Sequence, residues 1–215
     1  MATNNELIDF LKQSKVLTNQ RVEKALLDVP REHFVMPGYE EMAYVDEPLP
    51  ILGAQTILQP ATVVTLLQNL ELNEFDRVLE IGAGTGWMTC LLAKLCARGK
   101  VFATETNHEL TEMTRKNVKK FNLIHVEVIE ADGTEGYAPG RPFDKIISSV
   151  GLPSIPQPWI DQLKMNGIIV APIGTMFSQK IMKVQKVKNK LNETVVGEFS
   201  FPPAHGKYGF DLSKT

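Results

Sequence analysis

The stretch RVLEIGAGTGWMTCLLAKL, residues 77–95, decides the fold. A short apolar run leads into Gly82, Gly84 and Gly86 at alternate positions, and an amphipathic stretch follows. Strand, glycine turn and helix in that order open an α/β sheet, and such sheets bind ligands beyond the carboxyl ends of their strands. Glycines there let the chain turn sharply and approach a ligand closely. The spacing is G-x-G-x-G, whereas a dinucleotide fingerprint reads G-x-G-x-x-G and presents bare amides to a pyrophosphate. Glu80 stands two residues before the first glycine. Two like charges about 4 Å apart in a partly dry site oppose each other by roughly 4 kcal/mol. The loop is therefore expected to take a ligand with a cationic end, not a phosphate.

Downstream, strand and helix alternate. RVLEI (77–81), KVFATE (100–105), VEVIE (126–130), FDKIISSV (143–150) and GIIVAPI (167–173) read as strands. Helices are expected over 86–97, 108–121 and 155–163, the last entered through Pro156 and Pro158. Short continuous apolar strands alternating with helices predict a parallel sheet covered on both faces. QKIMKVQKVKN and ETVVGEFSF follow without a helix between them, which predicts an antiparallel pair closing one edge. The five lysines in 180–190 read as protection of an edge strand rather than a nucleic-acid patch. Upstream, helices are expected over 4–14 and 19–29, with Thr18 as N-cap and Pro30 as the stop, and over 60–72 with Pro60 at the first helical position. Residues 31–59 lack periodicity, and long irregular segments of that kind usually cover or serve a site. The expected fold class is α/β, a three-layer sandwich with a doubly wound, mostly parallel seven-stranded sheet and an antiparallel C-terminal edge. A single domain is expected over 1–215, with 1–59 as N-terminal helices and covering segment and 60–215 as the Rossmann-like core.

The composition fits an ordinary soluble globular protein, with 43% hydrophobic and 22% charged residues. The formal net charge of −2 gives no electrostatic reason to expect nucleic acid or an acidic membrane as partner. No apolar run is long enough to span a bilayer, and the opening MATNNELIDFLKQSK does not read as a signal peptide. Cys90 and Cys96 form no C-x-x-C pair and read as buried thiols of a reducing, cytoplasmic compartment. The histidines are scattered and no metal-ligand set is expected.

Glu105 ends the second strand of the alternating region, nineteen positions after Gly86, where an acid can chelate a ribose diol. Asp132 and Gly133, after the third strand, can offer a carboxylate to an adenine amino group and a glycine where the ring passes. Each feature has a bland reading: a glycine turn, a solvated strand end, an Asp-Gly turn. In order, at three successive strand ends, they favour one site for a nucleoside that has a ribose and a positive charge but no pyrophosphate. S-adenosylmethionine meets that description. Ile81, Ala83 and Thr106 complete the expected cofactor set with Glu80, Gly82, Gly84, Gly86, Glu105, Asp132 and Gly133. A nicotinamide-dependent oxidoreductase is the poorer alternative.

VLEIGAGTGWMTCLLAKL with VFATE resembles the first two motifs of class I S-adenosylmethionine-dependent methyltransferases. More specifically, the chain is similar to the protein-L-isoaspartate O-methyltransferase family through VPREHFVMPGYEEMAYVDEPLPI (29–51), QTILQP (55–60), ADGTEGY (131–137), residues 142–174 and EFSFPP (198–203). The resemblance implies a seven-stranded mixed sheet and methylation of the α-carboxylate of isoaspartyl residues in damaged proteins or peptides, giving S-adenosyl-L-homocysteine. The methyl ester then cyclises unaided to a succinimide. Family members carry a serine at the position of Leu58, where its hydroxyl faces the substrate carboxylate. Ser149 stands at a family threonine and Ser154 at a family acid, so the acceptor half departs more than the cofactor half.

A carboxylate is already ionised at pH 7, so in-line attack on a sulfonium methyl needs no general base. Gln55 and Thr56 are expected to present donors to the substrate, with Leu58 beside them. Phe201, Pro202 and Pro203 are expected to line the peptide groove. Asp46 braces either a cofactor lid or a helix terminus, and His205 reads as a surface residue of a mobile tail. Two other readings stay open: the same chemistry on a different protein or peptide acceptor, and a cofactor-binding module without catalysis.

Overall fold

The computed structural model describes residues 3–188 and 190–211. Helices α1 (Asn4–Gln13) and α2 (Gln20–Asp28) open the chain. A capping box between Thr3 and Glu6 starts α1. Asn19, not Thr18, caps α2, its side chain accepting from the amides of Arg21 and Val22. Thr18 is diverted to α3 (Pro60–Asn69), where Gln68 Oε1 accepts from its amide and its hydroxyl. A two-residue ribbon, β1 (Leu49–Pro50) with β2 (Thr56–Ile57), supplies the only strand pairing seen within the irregular segment among the described residues.

The main sheet comprises β3 (Arg77–Ile81), β4 (Lys100–Glu105), β5 (Val126–Glu130), β6 (Phe143–Ser148), β7 (Leu163–Gly174), β8 (Gln179–Val187) and β9 (Lys190–Phe199), in the order β5-β4-β3-β6-β7-β8-β9. Pairings from β5 to β7 are parallel, and β8 and β9 are added antiparallel. This is the predicted seven-stranded mixed sheet. Helices α4 (Trp87–Leu95), α5 (His108–Lys120) and α6 (Gln157–Gln162) follow the strands as expected, each a little shorter than its sequence pattern. Alternation along the strands builds two cores. Val78, Val101, Ile147 and Val170 pack with α1–α5, and Leu79, Phe102, Ile146 and Ile169 pack with Trp159 of α6.

Two expectations need correction. The predicted strand 179–189 ends at Val187, and Asn189 lies outside the described residues. Lys180, Lys183 and Lys186 do not guard an edge, because β8 is internal; Lys188 lies in the turn that follows, and Lys190 begins the edge strand β9. Lys180 and Lys183 pair with Glu198 and Glu71, and Lys186 Nζ donates to the carbonyls of Ile160 and Leu163 at 2.6 and 3.0 Å. Regular spacing of lysines does not distinguish an exposed ladder from side chains reaching to partners.

The irregular segment is organised by one side chain. Arg31 is fully buried, and its guanidinium donates to the carbonyls of Ala43 (3.1 Å), Val45 (3.2 Å), Glu47 (2.9 Å) and Leu58 (3.0 Å) while lying over the Trp87 ring. Burial lowers its pKa to about 10, which leaves it charged at neutral pH. Asp46 completes the brace at a helix terminus: it accepts from the Ala61 amide (2.8 Å) in the first turn of α3 and from Gln59 Nε2 (3.0 Å). Arg31→Met removes four hydrogen bonds, with the Val45 carbonyl keeping the Glu47 amide as a donor, and is expected to lower unfolding free energy by about 3 kcal/mol or more, read by urea denaturation. Arg31→Lys should recover less than half of that, because a compact ammonium cannot span the same four acceptors.

Candidate active site

The carboxyl ends of β3, β4 and β6 meet where the chain crosses from β5 back to the centre of the sheet, the topological switch point of the fold. There the glycine loop folds onto β4. The amides of Gly82 and Ala83 both donate to the carbonyl of Thr104, at 3.0 and 3.1 Å. The Gly84 amide donates to Glu105 Oε2 at 2.9 Å, and the Gly86 amide turns back to the carbonyl of Ala83. Gly82, Gly84 and Gly86 all have positive φ, at 80°, 59° and 89°, which explains the glycine at each position. Four loop amides are thereby satisfied inside the protein. A pyrophosphate would find no bare N–H row here, so the loop geometry itself disfavours a dinucleotide.

Glu105 is the centre of this arrangement. It is 4% exposed, and its other oxygen accepts from the amides of Thr106 (2.9 Å) and Asn107 (3.0 Å). Three backbone donors hold an acceptor-only group at the mouth of a small cavity of about 30 Å³, whose walls include Gln55, Ile81, Gly82, Thr106, Gly133 and His205. A second cavity of about 40 Å³ shares Gly82 and is bordered by Ala83, Gly84, Leu58 and Ser149. Thr56 and Leu58 border this second cavity and also a groove of about 380 Å³ that runs past Pro48, Thr62 and Phe201 to Pro203. The three spaces are therefore continuous in their linings, with Gly82 shared by the two small cavities and Thr56 and Leu58 shared by the second cavity and the groove. A larger cleft of about 700 Å³, with Arg21, Lys24 and Phe75, involves none of these residues.

Three expected site residues sit elsewhere than the sequence suggested. Glu80 is fully buried beneath the loop, faces α4 and borders neither cavity. Neither of its carboxylate oxygens has a hydrogen-bond partner among the described residues, and the nearby Thr89 hydroxyl does not reach bonding geometry. Burial, reinforced by the charge of Glu105, raises its pKa to about 8. At neutral pH it is mostly protonated, so it cannot be the charge that repels a phosphate. Gly86 caps α4 and does not face the cavities. Asp132 also lies off the cavity lining: one oxygen accepts from the Thr134 amide and hydroxyl (2.9 and 2.6 Å), the other from the Lys207 amide (2.8 Å). Ser154 is exposed and borders none of these spaces. Conversely, Thr104, Thr134, Ala204 and His205 line the cavity beside Glu105, although periodicity and spacing had not singled out the first three. Both cysteines are buried, and burial raises their thiol pKa values.

The sheet order, the glycine loop and the acid at the tip of β4 define the α/β methyltransferase fold. The family model for protein-L-isoaspartate(D-aspartate) O-methyltransferase matches residues 2–208. A protein-L-isoaspartate O-methyltransferase of Methanoculleus marisnigri is 38% identical over 205 residues, covering 95% of this chain and 92% of its own. One from Staphylothermus marinus is 39% identical over 212 residues, covering 95% and 94%. A solved protein-L-isoaspartate O-methyltransferase superposes with a TM-score of 0.87 at 27% identity, covering 96% of this chain and 67% of the other. The fold is shared with a Plasmodium falciparum beta-aspartate methyltransferase solved with S-adenosyl-L-homocysteine, with a TM-score of 0.84 at 19% identity over 95% of this chain and 99% of the other. The chain belongs to the protein-L-isoaspartate(D-aspartate) O-methyltransferase family of enzymes.

The buried state of Glu80 has a measurable consequence. Between about pH 4.5 and 8 the folded chain holds a proton that the unfolded chain has released. Stability contributed by this proton is complete below that window, falls as pH rises through it by up to about 1.4 kcal/mol per pH unit, and is level above it. Thermal melting of Glu80→Gln should decline less than wild type over that window; parallel curves would mean that the carboxyl is not protonated in the folded chain.

Proposed function

We propose that this protein transfers the methyl group of S-adenosylmethionine to the free carboxylate of isoaspartyl residues in proteins or peptides. The observation that carries the reading is the continuity of the linings. An acceptor carboxyl at the tip of β4 borders the nucleoside cavity, Gly82 joins it to a second cavity, and Thr56 with Leu58 join that cavity to an open groove. Family membership supplies the donor and the acceptor class.

The residues fit the cofactor. Glu105 offers acceptor oxygens to a ribose diol, and Gly82 and Gly84 present backbone without a side chain at their positions in the loop. Thr106, Ile81 and Gly133 surround the nucleoside end, Ala83 borders the adjoining cavity, Asp132 holds the neighbouring turn from behind the lining, and Glu80 supports the loop from beneath. When bound, S-adenosylmethionine supplies an electrophilic methyl group on a sulfonium. The acceptor carboxylate is ionised and attacks without a general base, so the chain's contribution is orientation and exclusion of water. Gln55 and Thr56 hold the carboxylate, and the Thr56 hydroxyl, which has no hydrogen-bond partner among the described residues, is free to donate to it. Pro48, Phe201, Pro202 and Pro203 form the walls that receive the flanking peptide. Leu58 places an aliphatic side chain where family members have a hydroxyl donor, which weakens the hold on a carboxylate without removing the chemistry.

We read the chain as one methyltransferase domain, with residues 1–59 covering a Rossmann-like core that begins at residue 60. Its setting is the cytoplasm, and nucleic acid and membranes are not its partners. Two buried cysteines that form no disulfide and a near-neutral formal charge support this reading.

Incubation with methyl-labelled S-adenosylmethionine and paired peptides tests the reading. Base-labile label should enter the isoaspartyl peptide and not its aspartyl twin. Label on another protein of a cell extract, with none on the peptide, would favour a different acceptor. Leu58→Ser is expected to raise kcat/KM for the isoaspartyl peptide by about ten-fold, the worth of one donor to a charged acceptor. An unchanged or lower value would place the acceptor carboxylate away from position 58.

A further inference from the structure

The nucleoside cavity has one wall that belongs to neither the sheet nor the glycine loop. Pro203, Ala204 and His205 form it, and the chain around them is tied down at both ends. On one side the Gly151 amide donates to the carbonyl of Pro202, and the Ala204 amide donates to the carbonyl of Gly151, both at 2.8 Å. On the other, the Lys207 amide donates to Asp132 Oδ2 at 2.8 Å, the Tyr208 amide donates to the Thr134 hydroxyl at 3.1 Å, and Lys207 Nζ pairs with Glu135 at 2.9 Å. The Phe210 amide returns to the carbonyl of Ala204, closing the segment on itself.

Gly206 makes this approach possible. Its φ is +136°, and a Cβ there would lie 2.2 Å from Asp132 Oδ1. No other residue lets the backbone pass so close to that carboxylate. The cavity behind the wall, about 30 Å³, is far smaller than the several hundred Å³ that a nucleoside-sized ligand occupies. A nucleoside seated here must therefore displace one wall or extend through the open side into the adjoining space that shares Gly82. The strand ends are held by sheet pairing; in this segment Pro203 and buried Ala204 are anchored beside Gly151, whereas residues 205–210 are held by hydrogen bonds and an exposed ion pair worth roughly 0–1 kcal/mol.

On the reading of this cleft as the S-adenosylmethionine site, we propose that residues 203–210 are a latched lid over the nucleoside. The turn at residues 132–135 is the catch, Gly206 is a positioning residue that lets the lid seat, and His205 is the side chain that faces the bound base. The lid swings outward to admit the cofactor and reseats against Asp132, Thr134 and Glu135 to exclude water from it.

Calorimetry and stopped-flow dissociation of S-adenosyl-L-homocysteine from the full chain test this. His205→Ala should raise Kd by about five-fold and Gly206→Ala by about ten-fold, mainly through faster dissociation. In steady state, KM for S-adenosylmethionine should rise by similar factors while kcat falls by less than about three-fold, a split that general loosening of the fold would not produce. Hydrogen exchange at the amides of Lys207, Tyr208 and Phe210 should slow when S-adenosyl-L-homocysteine is added to wild type. If Gly206→Ala does not fold, His205→Ala and the exchange measurement decide. Unaltered dissociation in His205→Ala together with unaltered exchange at those amides overturns the lid. A wild-type chain that binds no S-adenosyl-L-homocysteine overturns the cofactor reading instead.

Discussion

The buried guanidinium of Arg31 is the constraint on which the acceptor side of this molecule depends. The sheet and its glycine loop follow from patterns that many α/β proteins share, but nothing in a parallel sheet dictates where residues 43–58 should run. That segment has almost no regular structure, so its carbonyls need donors from elsewhere. Arg31 supplies four of them from one rigid planar group, and the Trp87 ring covers its face. Trp87 is itself fixed by donating to the carbonyl of Val29, so the brace links the end of α2, the start of α4 and the strap. Asp46 then joins the strap to the first turn of α3. The outcome is that Gln55, Thr56 and Leu58 are held beside the glycine loop.

On the cofactor side the corresponding constraint is the way the loop consumes its own amides. Thr104 and Glu105 accept three of them, which converts a potential anion site into one whose outward-facing chemistry is a carboxylate. A ligand rich in donors suits such a surface and a phosphate does not. Glu80 contributes from below, as a buried and mostly protonated acid under the loop, rather than as a charge in the site. The acid that faces the loop's ligand side is therefore Glu105, not Glu80. Distance along the sequence put Glu80 near the glycines, but strand alternation turns residue 80 toward α4 while Ile81 faces the cavity.

The two halves of the site are built from different materials. The cofactor half rests on strand ends and short turns, where backbone geometry is set by the sheet. The acceptor half rests on a strap and on the connection after β9, where side chains decide the shape. Leu58 lies on the boundary, 8% exposed, with its carbonyl committed to Arg31 and its side chain bordering both the second cavity and the groove. Its side chain thus faces the groove and the second cavity together, while its backbone is fixed by the buried guanidinium.

Periodicity alone determined the elements of the core, because strand alternation and helical spacing are local and the buried apolar residues repeat them. The seven strands, the parallel order implied by the crossovers and the antiparallel closing pair were all legible that way, and so was the strand-end position of Glu105. The family motifs added the acceptor strap. Tertiary structure alone decided which oxygen meets which amide. It turned Asp132 toward the Lys207 amide, set His205 in a cavity wall, moved the lysines of β8 off the edge and made Arg31 the hub of the strap. These are contacts between residues dozens of positions apart. Their geometry depends on how the layers close on one another, which no window of the sequence contains.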